Sequence, residues 1–235
     1  MPPKPIWDDL PPATKVLLYL QTLKEVNLWA ATSTGVEDFT QKGMSVTLGM
    51  SVPSVGRWLD ILETNAQVVV VPPFYENVGK RIIKSPRVYI ADSGLACHLL
   101  GIRSAAELDR SPFAGALFEG FVASEIVKAQ LNAGRRKELY YFRDQQGLEV
   151  DFVVPGGSGS VHLIEAKSTT TPTPGMASPM LRFAAAWEKR GHPRRTLSMT
   201  LVHRPRGSAR ASHVLCPGVQ AIPWAEYFAG KHTPK

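Results

Sequence analysis

Apolar residues recur at helical spacing over residues 12–29, where Val16, Leu17, Leu20, Leu23 and Leu28 fall near one face. A polar stretch over 32–35 breaks the pattern. A second helical face follows, built from Val55, Trp58, Leu59 and Leu62. Ser51 stands ahead of it as a cap, and Pro53 suits the first turn because no N–H is missed there. The run Val68–Val71 reads as a buried strand that Pro72-Pro73 ends. Residues 88–91 read as another strand, Asp92-Ser93-Gly94 as a turn and 95–100 as a short helix. Residues 103–115, polar and with Pro112 and Gly115, read as a loop or short helix. Over 116–131 the helical pattern is apolar on most sides, which marks a buried helix. Two strands follow, over 139–143 and 148–154. In the second, alternation sends Leu148, Val150, Phe152 and Val154 to one face and Glu149 and Asp151 to the other. A Pro-Gly-Gly-Ser-Gly turn at 155–159 leads into the strand Val161–Lys167, its expected hairpin partner. There Glu165 and Lys167 share one face, and Ile164 and Ala166 take the other. Residues 169–179 read as a loop and 180–190 as an amphipathic helix using Leu181, Phe183, Ala184 and Trp187. A strand over 196–202 precedes a tail expected to be irregular, with Arg204, Arg206 and Arg210.

Composition narrows the setting. The 235 residues fit one large domain or two small ones, and a 44% hydrophobic content is enough for a core. No apolar run reaches the ~18 residues of a membrane helix, and the opening residues lack the apolar core of a secretory signal. No membrane association and a cytoplasmic location are expected. Cys97 and Cys216 have no CxxC neighbours, so neither a zinc site nor a disulfide framework is indicated. The net charge of +7 is uneven: residues 1–75 hold 5 Lys/Arg against 7 Asp/Glu, and the basic excess lies beyond them. Lys80, Arg81, Lys84 and Arg87, with Arg194 and Arg195, are candidates to hold a polyanion such as nucleic acid, DNA foremost. A solvated basic surface is the alternative. The helix, turn, helix and strand of the first 75 residues follow the order of a winged helix. That segment is net acidic and its second helix carries only Arg57, which favours docking over DNA reading.

The chemistry concentrates on two strands. Phosphodiester hydrolysis needs a divalent metal to neutralise the phosphate and acidify a water, and a group that orients that water. Mg²⁺ takes oxygen ligands and keeps several waters, so two or three carboxylates suffice. Asp151 and Glu165, on neighbouring strands, are the candidate ligands for Mg²⁺ or Mn²⁺. Lys167, two residues after Glu165, is the candidate catalytic group for the water or the developing charge. Glu119 lies among Val122, Ala123 and Ile126 on the buried helix. A carboxylate in an apolar sector must be paired, protonated or metal-bound, so Glu119 joins as a helper. The competing interpretation is a salt-bridged, exposed sheet face. No G-x-S-x-G or H-E-x-x-H occurs, and His162 reads as a packed core residue.

Five strings carry a family resemblance: GRWLDILE (56–63), PPFYENVGKRIIKSPRVYIADSGLACHLLG (72–101), GALFEGFVASEIVK (115–128), YYFRDQQGLEVDFVV (140–154) and LIEAKS (163–168). Together they resemble the C-terminal region of a family of bacterial and archaeal AAA-type ATP-binding proteins. The resemblance runs over roughly residues 45 to 200. It implies an α/β (α+β) fold, with a winged-helix-like segment followed by a PD-(D/E)XK nuclease-like mixed sheet flanked by helices. The implied layout is a tail at 1–11, the winged-helix-like segment at 12–75, the nuclease-like domain at 76–215 and a tail at 216–235. Glu119, Asp151, Glu165 and Lys167 match the helix acid, strand Asp and E-x-K of the nuclease-like motif. Family members begin with a P-loop ATPase domain, but G-x-x-x-x-G-K-[S/T] is missing here. No ATP binding by that route is therefore expected. The chain reads as a stand-alone or truncated C-terminal half that acts on or binds DNA. A partner ATPase or a homo-oligomer is the implied assembly, and a catalytically silent docking module is the alternative.

Overall fold

The structure, a computed structural model, describes residues 51–74, 86–191, 196–205 and 212–231. The helix expected over 12–29 lies outside these residues. So do Lys80, Arg81, Lys84, Arg194 and Arg195.

The chain begins with helix α1 (Val52–Thr64), whose cap Ser51 accepts the N–H of Ser54 and whose buried face is Val55, Leu59 and Leu62. Strand β1 (Val68–Val71) pairs antiparallel with β2 (Arg87–Ile90), across the boundary expected at residue 75. The ribbon has two faces. Val68, Val88 and Ile90 pack on α1 and on helix α2 (Ser93–Leu99), while Val69, Val71 and Tyr89 join the main core. Asp92 does more than turn the chain: its carboxylate caps α2 at Leu95 N–H, so that helix starts earlier than expected. Helix α3 (Ala105–Arg110) takes up part of the stretch expected to be a loop or short helix.

Helix α4 (Ala114–Asn132) is buried on most sides, as its pattern requires. One side meets the ribbon and the other covers a six-stranded mixed sheet of order β3-β4-β5-β6-β8-β7. These strands are β3 (Tyr140–Arg143), β4 (Glu149–Pro155), β5 (Val161–Lys167), β6 (Leu197–His203), β7 (His213–Cys216) and β8 (Val219–Pro223). The β4–β5 hairpin is as expected, and β5 pairs parallel with β6 through helix α5 (Ser178–Glu188), which covers the opposite face. The result is helix, sheet, helix, with a ribbon docked on one side. The tail expected to be irregular instead contributes β7 and β8. Val219, Ala221 and Ile222 are buried, and β8 runs parallel to β6. A four-residue strand followed by a tight turn offers too short a periodic run to be recognised.

One departure from alternation matters for the site. Tyr140 pairs with Val153 and Phe142 with Val150, so β4 carries one residue more than β3 across this stretch. That is a β-bulge at Asp151-Phe152. Leu148, Val150 and Val153 pack with α5, whereas Phe152 and Val154 pack with α4. The expected common face of Leu148, Val150, Phe152 and Val154 is therefore corrected: it changes sides at the bulge.

Gln130 ties α4 to the sheet. Its amide donates to Glu138 O at 3.1 Å and accepts Glu138 N–H at 2.9 Å, while the residue is 3% exposed. Gln130→Leu removes both hydrogen bonds to the exposed Glu138 backbone, so it is expected to lower stability by about 1 kcal/mol, read as a reduced urea midpoint at unchanged slope.

Candidate functional site

Four elements converge at one end of the β4–β5 hairpin. The β4–β5 ladder ends at the pair Phe152 and Ile164. Beyond it, the Asp151 carboxylate accepts the Ala166 N–H at 3.0 Å, where another strand carbonyl would otherwise serve. The bulge delivers Asp151 to this seam. Lys167 Nζ donates to Asp151 Oδ2 at 3.1 Å and pairs with Glu165 Oε2 at 2.7 Å. The three residues singled out on the strands thus meet. Ile164 and Ala166 point to the α4 core, as alternation requires.

Glu119 enters from α4 and is paired. It accepts from Arg87 Nη1 at 2.8 Å and from the Tyr89 hydroxyl. Arg87 also bonds Glu149, lies 4.0 Å from Asp151 Oδ1, and sits 4.7 Å above the Tyr141 ring centre. Arg143 Nε reaches the other oxygen of Glu149 at 3.4 Å. Arg87 was expected with the nucleic-acid-binding residues; the structure places it inside the carboxylate cluster. Residues Arg87 and Tyr89 share a face of β2, but nothing local in the sequence says that this face meets β4. Glu149, which alternation groups with Asp151, is held in ion pairs with Arg87 and Arg143.

The electrostatics separate the acids. Burial works to raise the Asp151 carboxyl, but Lys167, Arg87 and the Ala166 N–H outweigh it and hold the group below its ordinary range. Glu165, 1% exposed, is pushed up to about 9 by burial and by the Asp151 charge, against the pull of Lys167. Burial and Asp151 also raise Glu119, against Arg87 and Tyr89. Lys167 stays charged: burial lowers it, but Asp151 and Glu165 raise it well above the ordinary ammonium. Near neutral pH the seam thus holds an ionised Asp151, a protonated Glu165 and an ammonium.

Glu165 Oε1 is buried without a hydrogen-bond partner. The proton on Glu165 relieves the repulsion from Asp151, and a hard cation would displace that proton and supply the partner that Oε1 lacks. Among the described residues, no three His, Cys, Asp or Glu side chains are gathered as a ready-made metal cage. The fitting donor set is Asp151 and Glu165, completed by water. His162 is buried against Thr200, its Nε2 2.9 Å from Oγ1, which agrees with a packed role. Both cysteines are free. No described helix is long and apolar enough to cross a membrane.

Two family models match the chain, both described as domains of unknown function: DUF4143 over residues 114–227 and DUF8612 over residues 9–106. Uncharacterized proteins of Mycobacterium bovis and Mycobacterium tuberculosis are each 38% identical over 135 residues, covering 57% of this chain and 30% of theirs. The chain therefore spans less than a third of the length of these relatives. A chain from the Thermococcus gammatolerans assembly of McrB AAA+ hexamers with bound McrC is 10% identical. That match covers 91% of this chain and 72% of the other at a TM-score of 0.32.

Proposed function

We propose that residues 86–223 form a PD-(D/E)XK nuclease-like unit that hydrolyses phosphodiester bonds with one Mg²⁺ or Mn²⁺. The observation that carries this reading is the convergence of Asp151, Glu165 and Lys167 at the hairpin seam, with Glu165 Oε1 buried and unpartnered. Asp151 and Glu165 would hold the ion. When bound, such an ion neutralises phosphate charge and acidifies a water. Lys167, already anchored on both carboxylates, is placed to hold that water or the developing charge. Glu119 acts at one remove, through Arg87. DNA is the proposed substrate. Lys80, Arg81 and Lys84, with Arg194 and Arg195, would supply basic charge for its backbone. An AAA-type ATPase is the proposed partner, on the strength of the sequence resemblance.

A second reading has its own support. Arg87 and Lys167 already neutralise the carboxylates, as they would in a silent network that serves only DNA binding or docking. Calorimetry with Mn²⁺ separates the two readings. The hydrolytic one expects an ion bound by the native chain and chelator-sensitive nicking of plasmid DNA. Salt-sensitive DNA binding with no Mn²⁺ heat would replace it with the second.

A further inference from the structure

The edge of the sheet that carries the seam has a second feature, which hydrolysis at Asp151, Glu165 and Lys167 leaves unused. Strands β5, β6 and β8 run parallel, so their C-terminal ends share that edge. In register, Lys167 stands beside His203, and His203 beside Pro223. Trp224 comes next, two strand spacings or roughly 10 Å from the Lys167 position. Its side chain is 37% exposed, and no other Phe, Trp or Tyr among the described residues is exposed. A single apolar side chain in water is ordinary, but a ring backed by further half-buried rings is a patch. Phe121 of α4 meets Trp224 at right angles with ring centroids 5.2 Å apart. Phe121 packs in turn on Phe228, itself half-buried, and on the buried Phe118. The Trp224 ring therefore ends a chain of aromatic contacts that runs out from the core.

We infer that Trp224 is a stacking platform for an unpaired base of the bound strand, so that the site takes single-stranded DNA or a single-stranded segment of it. This use of Trp224 rests on the proposed reading of the seam as a phosphodiester site. A strand with one phosphate at Lys167 carries its neighbouring bases within reach of Trp224. In a duplex, each base already has both faces covered by its neighbours, and an exposed ring gains nothing from it. An unpaired base offers a free face whatever its sequence. A ring already fixed by packing on Phe121 gives up little freedom when a base settles on it. Charge favours nucleic acid over a protein partner on this patch. The chain is net +7, and the basic excess falls beyond residue 75, in the part that carries Trp224.

Fluorescence anisotropy in the presence of a chelator tests this apart from any hydrolysis. The probes are a labelled single strand of DNA, the same strand with abasic sites, and its duplex. The native chain should bind the intact strand about tenfold or more tighter than the abasic one. Trp224→Leu keeps apolar packing against Phe121 but has no ring to stack. It should lose about tenfold or more on the intact strand and nothing on the abasic strand or the duplex. Trp224→Phe should restore most of that loss. A Trp224→Leu that binds the intact strand as tightly as the native chain overturns the inference. So does one weakened equally on both strands, which would mark a packing defect. If Trp224→Leu does not fold, the native chain and Trp224→Phe decide, and indifference of either to the missing bases overturns it. Mn²⁺ calorimetry and nicking keep the hydrolytic reading separate. A chain that shows base-dependent binding but takes no ion keeps Trp224 as a stacking residue and removes hydrolysis. A chain that nicks through Asp151 and Lys167 but ignores the missing bases does the reverse.

Discussion

Lys167→Ala is expected to lower metal-dependent plasmid nicking by about a hundred- to a thousand-fold while leaving Mn²⁺ binding in place. The magnitude is that of removing one preorganised group that stabilises charge in the transition state. The separation of the two effects comes from the geometry. Lys167 Nζ lies within 3.1 Å of Asp151 Oδ2 and within 2.7 Å of Glu165 Oε2, so it touches both proposed ligands without being one. Taking it away removes a positive charge that competes with a metal for the same oxygens. Mn²⁺ affinity should therefore hold or rise as the rate falls. Asp151→Ala should behave differently. It removes the one acid held fully ionised at the seam, so the Mn²⁺ heat and the nicking should disappear together. Nicking at native rates by both purified variants would show that the activity resides elsewhere.

The elements that carry the site were legible because each has a period of its own. In Val161–Lys167 the charged Glu165 and Lys167 stand two residues apart and interleave with Ile164 and Ala166, so their shared face could be read. Helix α4 is apolar almost all round, so the misfit of Glu119 was visible against Val122, Ala123 and Ile126. The sequence failed where the outcome depends on pairing. The bulge at Asp151 is a mismatch between two strands, and neither strand shows it alone. Straight alternation placed Asp151 opposite Phe152; the extra residue breaks that alternation, and the Asp151 carboxylate meets the Ala166 N–H. Arg87 was hidden for a related reason. Beside Lys80, Arg81 and Lys84 it reads as one more basic residue, and only the docking of β2 near β4 makes it the partner of Glu119 and Glu149. Strands β7 and β8 were missed because short strands at the end of a chain owe their form to the neighbour they pair with, here β6.

Glu165→Gln should stabilise the protein at alkaline pH and abolish the proposed metal-dependent nicking. In the native fold the Glu165 carboxyl is raised by burial and by Asp151 from its ordinary 4.5 to about 9. Between those values the folded chain holds a proton that the unfolded chain has released. Stability therefore falls as pH rises through that window, by up to about 1.4 kcal/mol per unit for a single group, and levels off above it. Asp151 acts in the opposite sense: its carboxyl is held below 3.8, so its contribution is complete above that pH and is lost only in acid. The two together place the maximum of stability in the mildly acidic range. Glutamine keeps the shape of the protonated acid and an oxygen for Lys167, but it cannot ionise. Urea unfolding at pH 4.5 and 8.5 should give nearly equal stability for the two proteins at the lower pH, and an advantage for Glu165→Gln of a few kcal/mol at the higher. Parallel curves would mean that the seam does not hold its proton on Glu165. On the proposed reading the gain has a functional cost, because Glu165 would be a ligand of the divalent ion, and the glutamine variant should lose both the Mn²⁺ heat and the nicking.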